Sequence, residues 1–126
     1  DILAVQALKE LPEGCTAVVP MIDARRMEVY CAEYSPSGER LSEVKALVVE
    51  PSSFPDAPTT LFIGDGAEKC RQVLGSGFFA QCCPKASAMA TPAASAFSAA
   101  RFEDVAYFEP FYLKEFVATV SKKNLF

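Results

Sequence analysis

A change of rhythm at Pro51 limits what this chain can fold into. Ahead of it lie three β-type segments, at 17–22, 28–34 and 44–49, separated by a polar turn from Asp23 to Arg26 and by Ser35-Pro36-Ser37-Gly38. Strands this closely spaced pair most simply as an antiparallel meander. Pro20 has no N–H to donate, so its strand is expected at an edge or with a bulge. Behind Pro51 strand and helix alternate. A Pro-rich loop to Pro58 leads to a strand at 59–63. Gly64-Asp65-Gly66 turns it into a helix at 67–74, and Gly75-Ser76-Gly77 ends that helix. A fifth strand is predicted at 78–82, then an Ala-rich helix at 86–102 that Thr91-Pro92 restarts or kinks. Before all of these, Ile2, Val5, Leu8 and Leu11 recur at helical spacing until Pro12 and Gly14. From Val105 periodicity fades but aromatics continue through Tyr107, Phe108, Phe111, Tyr112 and Phe116. An extended tail at 105–126, packed back onto the domain and basic at Lys122-Lys123, is expected.

A length of 126 residues suits one domain, 1–126, with a real core. The composition, 51% hydrophobic and 22% charged, is that of an ordinary soluble fold. A formal charge of −4 argues against a nucleic-acid surface built on bulk charge. No run of 18 apolar residues and no signal-peptide pattern is present, so a cytoplasmic protein without a membrane span is expected. Asp1 leads at once into helix, so the chain reads as part of a longer protein. Five cysteines, at 15, 31, 70, 82 and 83, fit no disulfide framework and read as buried, reduced thiols. The sequence contains no histidine. That removes Ser-His-Asp and Cys-His catalysis and His-based metal motifs, leaving Asp and Glu as acid/base groups.

Three stretches have residues suited to binding or chemistry. Around Gly64, Asp65, Gly66 and Ala67, a glycine turn between strand and helix lets backbone N–H groups approach a phosphate. A tight turn that needs glycine for geometry alone is the alternative, and the Asp65 carboxylate opposes a phosphate there. The second stretch places Asp23, Arg25, Arg26, Glu28 and Tyr30 around one turn. Its carboxylates suit a hydrated Mg²⁺ and its guanidinium groups a phosphate or a partner's carboxylate, while a solvated turn held by Asp23 is the plainer option. The third, Phe108-Glu109-Pro110-Phe111-Tyr112-Leu113-Lys114, suits docking on a partner or on its own domain, the latter being commoner.

The element order describes an α/β fold with a mixed sheet, three antiparallel strands followed by βαβα. It is similar to a ribonuclease-H-like lobe, the unit of the actin and sugar-kinase superfamily. The same three stretches, in this order, resemble the TsaB (YeaZ) family. Asp23-Ala24-Arg25-Arg26-x-Glu28-Val29-Tyr30 looks like its Asp-Ala-Arg-x-x-Glu-Val-Tyr signature. Gly64-Asp65-Gly66-Ala67 resembles the glycine turn after its penultimate strand. Glu109-Pro110-Phe111-Tyr112-Leu113-Lys114 is similar to its closing Glu-Pro-x-Tyr-Leu-Arg. Met27 stands where Gly is common, and Lys114 where Arg is usual, which weakens any bidentate contact at that position.

The resemblance implies the C-terminal lobe of a two-lobed, actin-like protein whose N-terminal lobe is absent from this chain. It further implies a non-catalytic subunit in tRNA threonylcarbamoyladenosine modification. Its partners would be TsaD and TsaE homologues, with tRNA engaged indirectly. This lobe itself is expected to need no cofactor, ATP or ADP with Mg entering at the level of the complex. A homodimer through a surface the other lobe normally covers is a further expectation. The family has long carried a glycoprotease label, which nothing in this sequence supports. The alternative is the nucleotide-binding lobe of a sugar-kinase-like enzyme, with nucleotide at residues 64–67.

Overall fold

The computed structural model describes residues 1–114. Phe116 and Lys122-Lys123 therefore lie outside the described residues. Within them the chain forms a five-stranded mixed sheet of order β3-β2-β1-β4-β5. Strands β1 (Ala17–Asp23), β2 (Glu28–Cys31) and β3 (Lys45–Val48) form the antiparallel meander. Strands β4 (Thr60–Ile63) and β5 (Phe78–Ala80) continue from β1 in parallel. Short turns favour antiparallel neighbours, and the longer crossovers after Pro51 allow parallel ones.

Both sheet faces are covered where the strands are most apolar. On one face, Leu3, Ala4 and Ala7 of helix α1 (Ile2–Ala7) pack with Val18, Ala32, Tyr34, Leu61 and Ile63. On the other, Val19, Met21, Val29, Cys31 and Phe62 meet Phe54 and Ala57 from the loop and Ala67, Cys70 and Leu74 from the crossover. β4 is buried at every position, as a parallel strand covered on both sides must be. Phe62 is fully buried, edge-on to Phe54 with centroids 5.2 Å apart and stacked on Phe79 at 5.1 Å. Burial of such a ring contributes roughly 2–3 kcal/mol.

The structure departs from the sequence expectation in several places. β1 is central, with β2 on one side and β4 on the other, so Pro20 is neither at an edge nor at a bulge. The register runs without a slip from the Val18–Tyr34 bridge to Met21–Cys31, which sets Pro20 opposite Ala32. Val18 exchanges both hydrogen bonds with Tyr34, so two residues on the nitrogen of Pro20 faces β2 with no hydrogen to donate. The ladder breaks there and β2 ends at Cys31. On the β4 side, where Pro20 need donate nothing, pairing continues through Pro20–Ile63.

α1 ends at Ala7 rather than Leu11, its last turn tightening into i→i+3 bonds from Lys9 to Gln6 and Glu10 to Ala7. The 67–74 helix is a 3₁₀ turn (Glu68–Cys70) followed by one α-turn, α2 (Arg71–Leu74), closed by Gly75 at φ 72°. The 86–102 segment is a 3₁₀ turn (Ala86–Met89) that restarts as α3 (Ala90–Ser98), with Pro92 in the first turn, where its missing N–H costs nothing. Tail aromatics expected to pack on the domain are exposed instead, Tyr107 at 83% and Tyr112 at 80%. Among the cysteines, all free, Cys31 and Cys70 are buried, whereas Cys83 is exposed.

Candidate functional site

The hairpin joining β1 to β2, the glycine turn after β4 and the end of the described chain meet at one corner. β1 carries Asp23 to the sheet's end, and the parallel β4 carries Asp65 to the same end. The backbone N–H of Asp23 donates to Asp65 Oδ1 at 2.8 Å. Asp23 Oδ1 accepts from the Arg25 N–H at 2.9 Å and from Lys69 Nζ at 2.5 Å. Lys69 Nζ also donates to the Glu28 carbonyl at 2.7 Å, so one ammonium ties both sides of the hairpin to the crossover. Glu28 in turn pairs with Lys114, whose ammonium lies 6.0 Å from the centre of the Tyr30 ring.

Hydrogen bonds from Lys69 and then from the Arg25 amide hold the Asp23 carboxyl below its ordinary range. It stays ionised and is a weak base. Both hairpin carboxylates are paired with ammonium groups, and a hydrated Mg²⁺ would have to displace both lysines. Among the described residues no group of three or more His, Cys, Asp or Glu side chains is arranged to hold a metal ion. This donor set does not fit a divalent cation held by the described residues alone.

Arg25 and Arg26 are exposed at the hairpin tip and have left-handed backbones, φ 72° and 49°. Such geometry is unusual for side chains without a local backbone bond of their own. It explains why Met27 tolerates a position where glycine is common in the family it resembles. The left-handed turn falls on the two arginines, and Met27 has an ordinary φ. Neither arginine has an ion-pair partner among the described residues.

The glycine turn is built for packing. The backbone of Gly64 (φ 135°) passes so close to β1 that a Cβ would sit 2.1 Å from the Met21 carbonyl oxygen. A Cβ on Gly66 would meet Val29 Cγ1 at 3.0 Å. Three of its four amides are already used: Gly64 donates to Ala80, Gly66 to Met21 and Ala67 to Gly64. Gln81 caps the turn, accepting from the Glu68 N–H at 3.0 Å and donating to the Asp65 carbonyl at 2.8 Å. Three spent amides, a single α-turn behind them and Asp65 in front leave residues 64–67 with one N–H, that of Asp65, to offer a phosphate. The geometric option, glycine for close approach, is the one observed.

The sequence-predicted residues thus divide. Asp23, Glu28, Tyr30, Asp65 and Lys114 come together, and Arg25 and Arg26 project from the same hairpin. Pro110 and Tyr112 are exposed and join no cluster. Lys69 was missed, because a lysine in a helix start reads as solvated. Its signal was its place five residues behind Gly64, where the turn returns toward β1. Gln81 was missed as well.

No family model and no curated protein matches this chain. Solved structures do. An uncharacterized protein with similarity to peptidase YeaZ from Pseudomonas aeruginosa superposes with a TM-score of 0.67 at 23% identity over 90% of this chain. YeaZ from Pseudomonas aeruginosa does so with a TM-score of 0.65 at 23% identity over 89%. The chain spans 55% of the length of each. At this identity the likeness establishes the fold alone, the ribonuclease-H-like α/β fold that the element order suggested.

Proposed function

We propose that this protein is a non-catalytic subunit of the TsaB kind. In this reading it supports a TsaD homologue that transfers the threonylcarbamoyl group to the adenosine next to the tRNA anticodon. The observation that carries this is the convergence at one corner. The three stretches on which the TsaB resemblance rests lie some forty residues apart, yet Asp23, Asp65, Glu28 and Lys114 link them directly. Chain-distant motifs that meet in space form one surface, and here that surface ends in two arginines without an ion-pair partner among the described residues, suited to a partner's carboxylates.

The chemistry present supports an assembly role over catalysis. Asp23 is committed to Lys69. Three of the five thiols are poor nucleophiles: burial pushes Cys31 up to about 11 and raises Cys70 and Cys82. With no histidine to activate them, a peptidase role has no nucleophile–base pair to rest on. The partners in this reading are TsaD and TsaE homologues in the cytoplasm, with tRNA reached through them. ATP or ADP and Mg enter with those partners. No helix among the described residues is long and apolar enough to cross a membrane.

Mixing the protein with its cognate TsaD homologue and measuring mass by light scattering after size exclusion tests the proposal. A stable complex, weakened when Arg25 and Arg26 are both changed to Glu, is the expected result. Absence of a complex, together with ATP turnover by the protein alone, would instead support the sugar-kinase-like alternative.

A further inference from the structure

The two arginines at the hairpin tip are held in place by a residue of another element. Arg25 and Arg26 are consecutive, with φ of 72° and 49°. Side chains are disfavoured there, and such a turn persists only where surrounding bonds over-determine it. The sheet gives it little direct support. β1 ends at Asp23 and β2 begins at Glu28, so residues 24–27 project beyond the strands. Below the turn, β1 and β2 pair at Met21 with Cys31, Ile22 with Tyr30 and Asp23 with Val29 before the break at Pro20.

Inside the turn, the Ala24 N–H donates to the Glu28 carbonyl at 3.1 Å and the Glu28 N–H to the Arg25 carbonyl at 3.0 Å. The other bonds pass through Asp23 and Lys69. Asp23 Oδ1 accepts from the Arg25 N–H and from Lys69 Nζ, and the same ammonium reaches the Glu28 carbonyl that Ala24 uses. Lys69 thereby presses the Asp23 carboxylate against the Arg25 amide while bracing the opposite strand. Its base is fixed, because Ala67 and Cys70 on either side of it in the crossover are fully buried. Its own head is not offered to a partner: the side chain is only 23% exposed and two acceptors already take the ammonium.

We propose that Lys69 is a positioning residue for partner binding, fixing the direction in which Arg25 and Arg26 leave the hairpin. This rests on the assembly reading above and adds to it the residue that makes the arginine pair effective. Guanidinium forks whose backbone is already set lose less freedom on meeting a partner's carboxylates than forks on a mobile loop.

The test is a double-mutant cycle. The whole protein, Lys69→Met, Arg25→Ala/Arg26→Ala and the triple combination are titrated against the cognate TsaD homologue. Backbone order parameters of the tip are measured by NMR in its absence. Lys69→Met is expected to weaken the complex about tenfold when the arginines are present and less than about twofold when they are gone. The N–H order parameters of Arg25 and Arg26 should fall from about 0.85 toward about 0.6 while those of β4 hold. Leu61→Val, which loosens packing against α1 on the other sheet face, is expected to leave the complex as it is. Equal weakening in both backgrounds overturns the proposal, since Lys69 would then act through overall stability or a contact of its own. Unchanged order parameters overturn it too, whether or not a complex forms. A wild type that binds no TsaD homologue overturns the assembly reading instead, and a tip loosened by Lys69→Met still upholds the tether.

Discussion

Lys69 Nζ lies 2.5 Å from Asp23 Oδ1, 46 positions earlier in the chain, and 2.7 Å from the Glu28 carbonyl. The lysine side chain is 23% exposed and the aspartate 48%. An ion pair this exposed contributes little through Coulomb attraction alone. The hydrogen bond to the Glu28 carbonyl adds to it, because one cation then closes the hairpin from both ends. Lys69→Met keeps the aliphatic stem and removes the donors. It should cost about 1–2 kcal/mol in urea unfolding followed by circular dichroism. Lys114→Met, which breaks only the outer pair with Glu28, should change stability by less than about 0.5 kcal/mol.

The same contact sets a pH dependence. The Asp23 carboxyl is held below its ordinary value by Lys69 and Arg25, and Glu68 by Arg71. A carboxyl whose folded value is depressed contributes stability that is complete above its unfolded value. That stability is lost as pH falls through the folded value. Stability should therefore be flat near neutrality and decline in the acid range below about pH 4. Lys69→Met should flatten that decline, and an unchanged acid slope in the variant would show that Lys69 does not set it.

Gly64 and Gly66 should differ in their tolerance of a methyl group. Gly64→Ala combines a positive φ with a clash against a backbone carbonyl that has nowhere to go. It should cost about 3 kcal/mol or more, or prevent folding. Gly66→Ala has an ordinary φ and meets Val29 Cγ1 at 3.0 Å and the backbone of Asp23 and Ile22 at 3.1 and 3.2 Å, tight contacts but none as short as that at Gly64, so about 1–3 kcal/mol is expected. Equal costs at the two positions would contradict the packing account of this turn.

Arg25 and Arg26 offer a separation of stability from binding. Their left-handed backbones suit glycine better than any side chain. Arg26→Gly should raise stability by about 0.5–1 kcal/mol, since relief of the backbone is partly offset by a freer unfolded chain. If the tip contacts a TsaD homologue, the same change should weaken that complex several-fold. A variant that is both more stable and equally competent would remove the tip from the interface.

Much of this fold was legible in the sequence because its signals are local. The meander follows from short turns between β-type segments, and the parallel half from glycine turns feeding helices. Boundaries were less legible where tertiary packing decides them. Leu11 continues the helical spacing of Ile2, Val5 and Leu8, yet it packs against the α1 cluster from outside the helix. The edge assignment of Pro20 failed because the rule counts a missing donor without knowing toward which neighbour it points. At the site, the hairpin residues were visible as a motif, but Lys69 and Gln81 act over distances of 46 and 16 positions, which no spacing rule reaches. The tail aromatics misled for a related reason: aromatic density predicts contact without naming the surface.

Pro20 also has a kinetic consequence. A ladder without a hydrogen bond at its middle is two short ladders, the β1–β2 hairpin above Pro20 and the Val18–Tyr34 pair below it. Each can open while the other stays closed, and neither opening requires β1 to leave β4. Amide exchange should accordingly divide at this residue, with hairpin protons such as that of Tyr30 exchanging through a smaller fluctuation than those of Val18 and Tyr34. The central strand stays paired to β4 through either opening, and Lys69 and Asp65 keep the arginine-tipped end of the hairpin tethered.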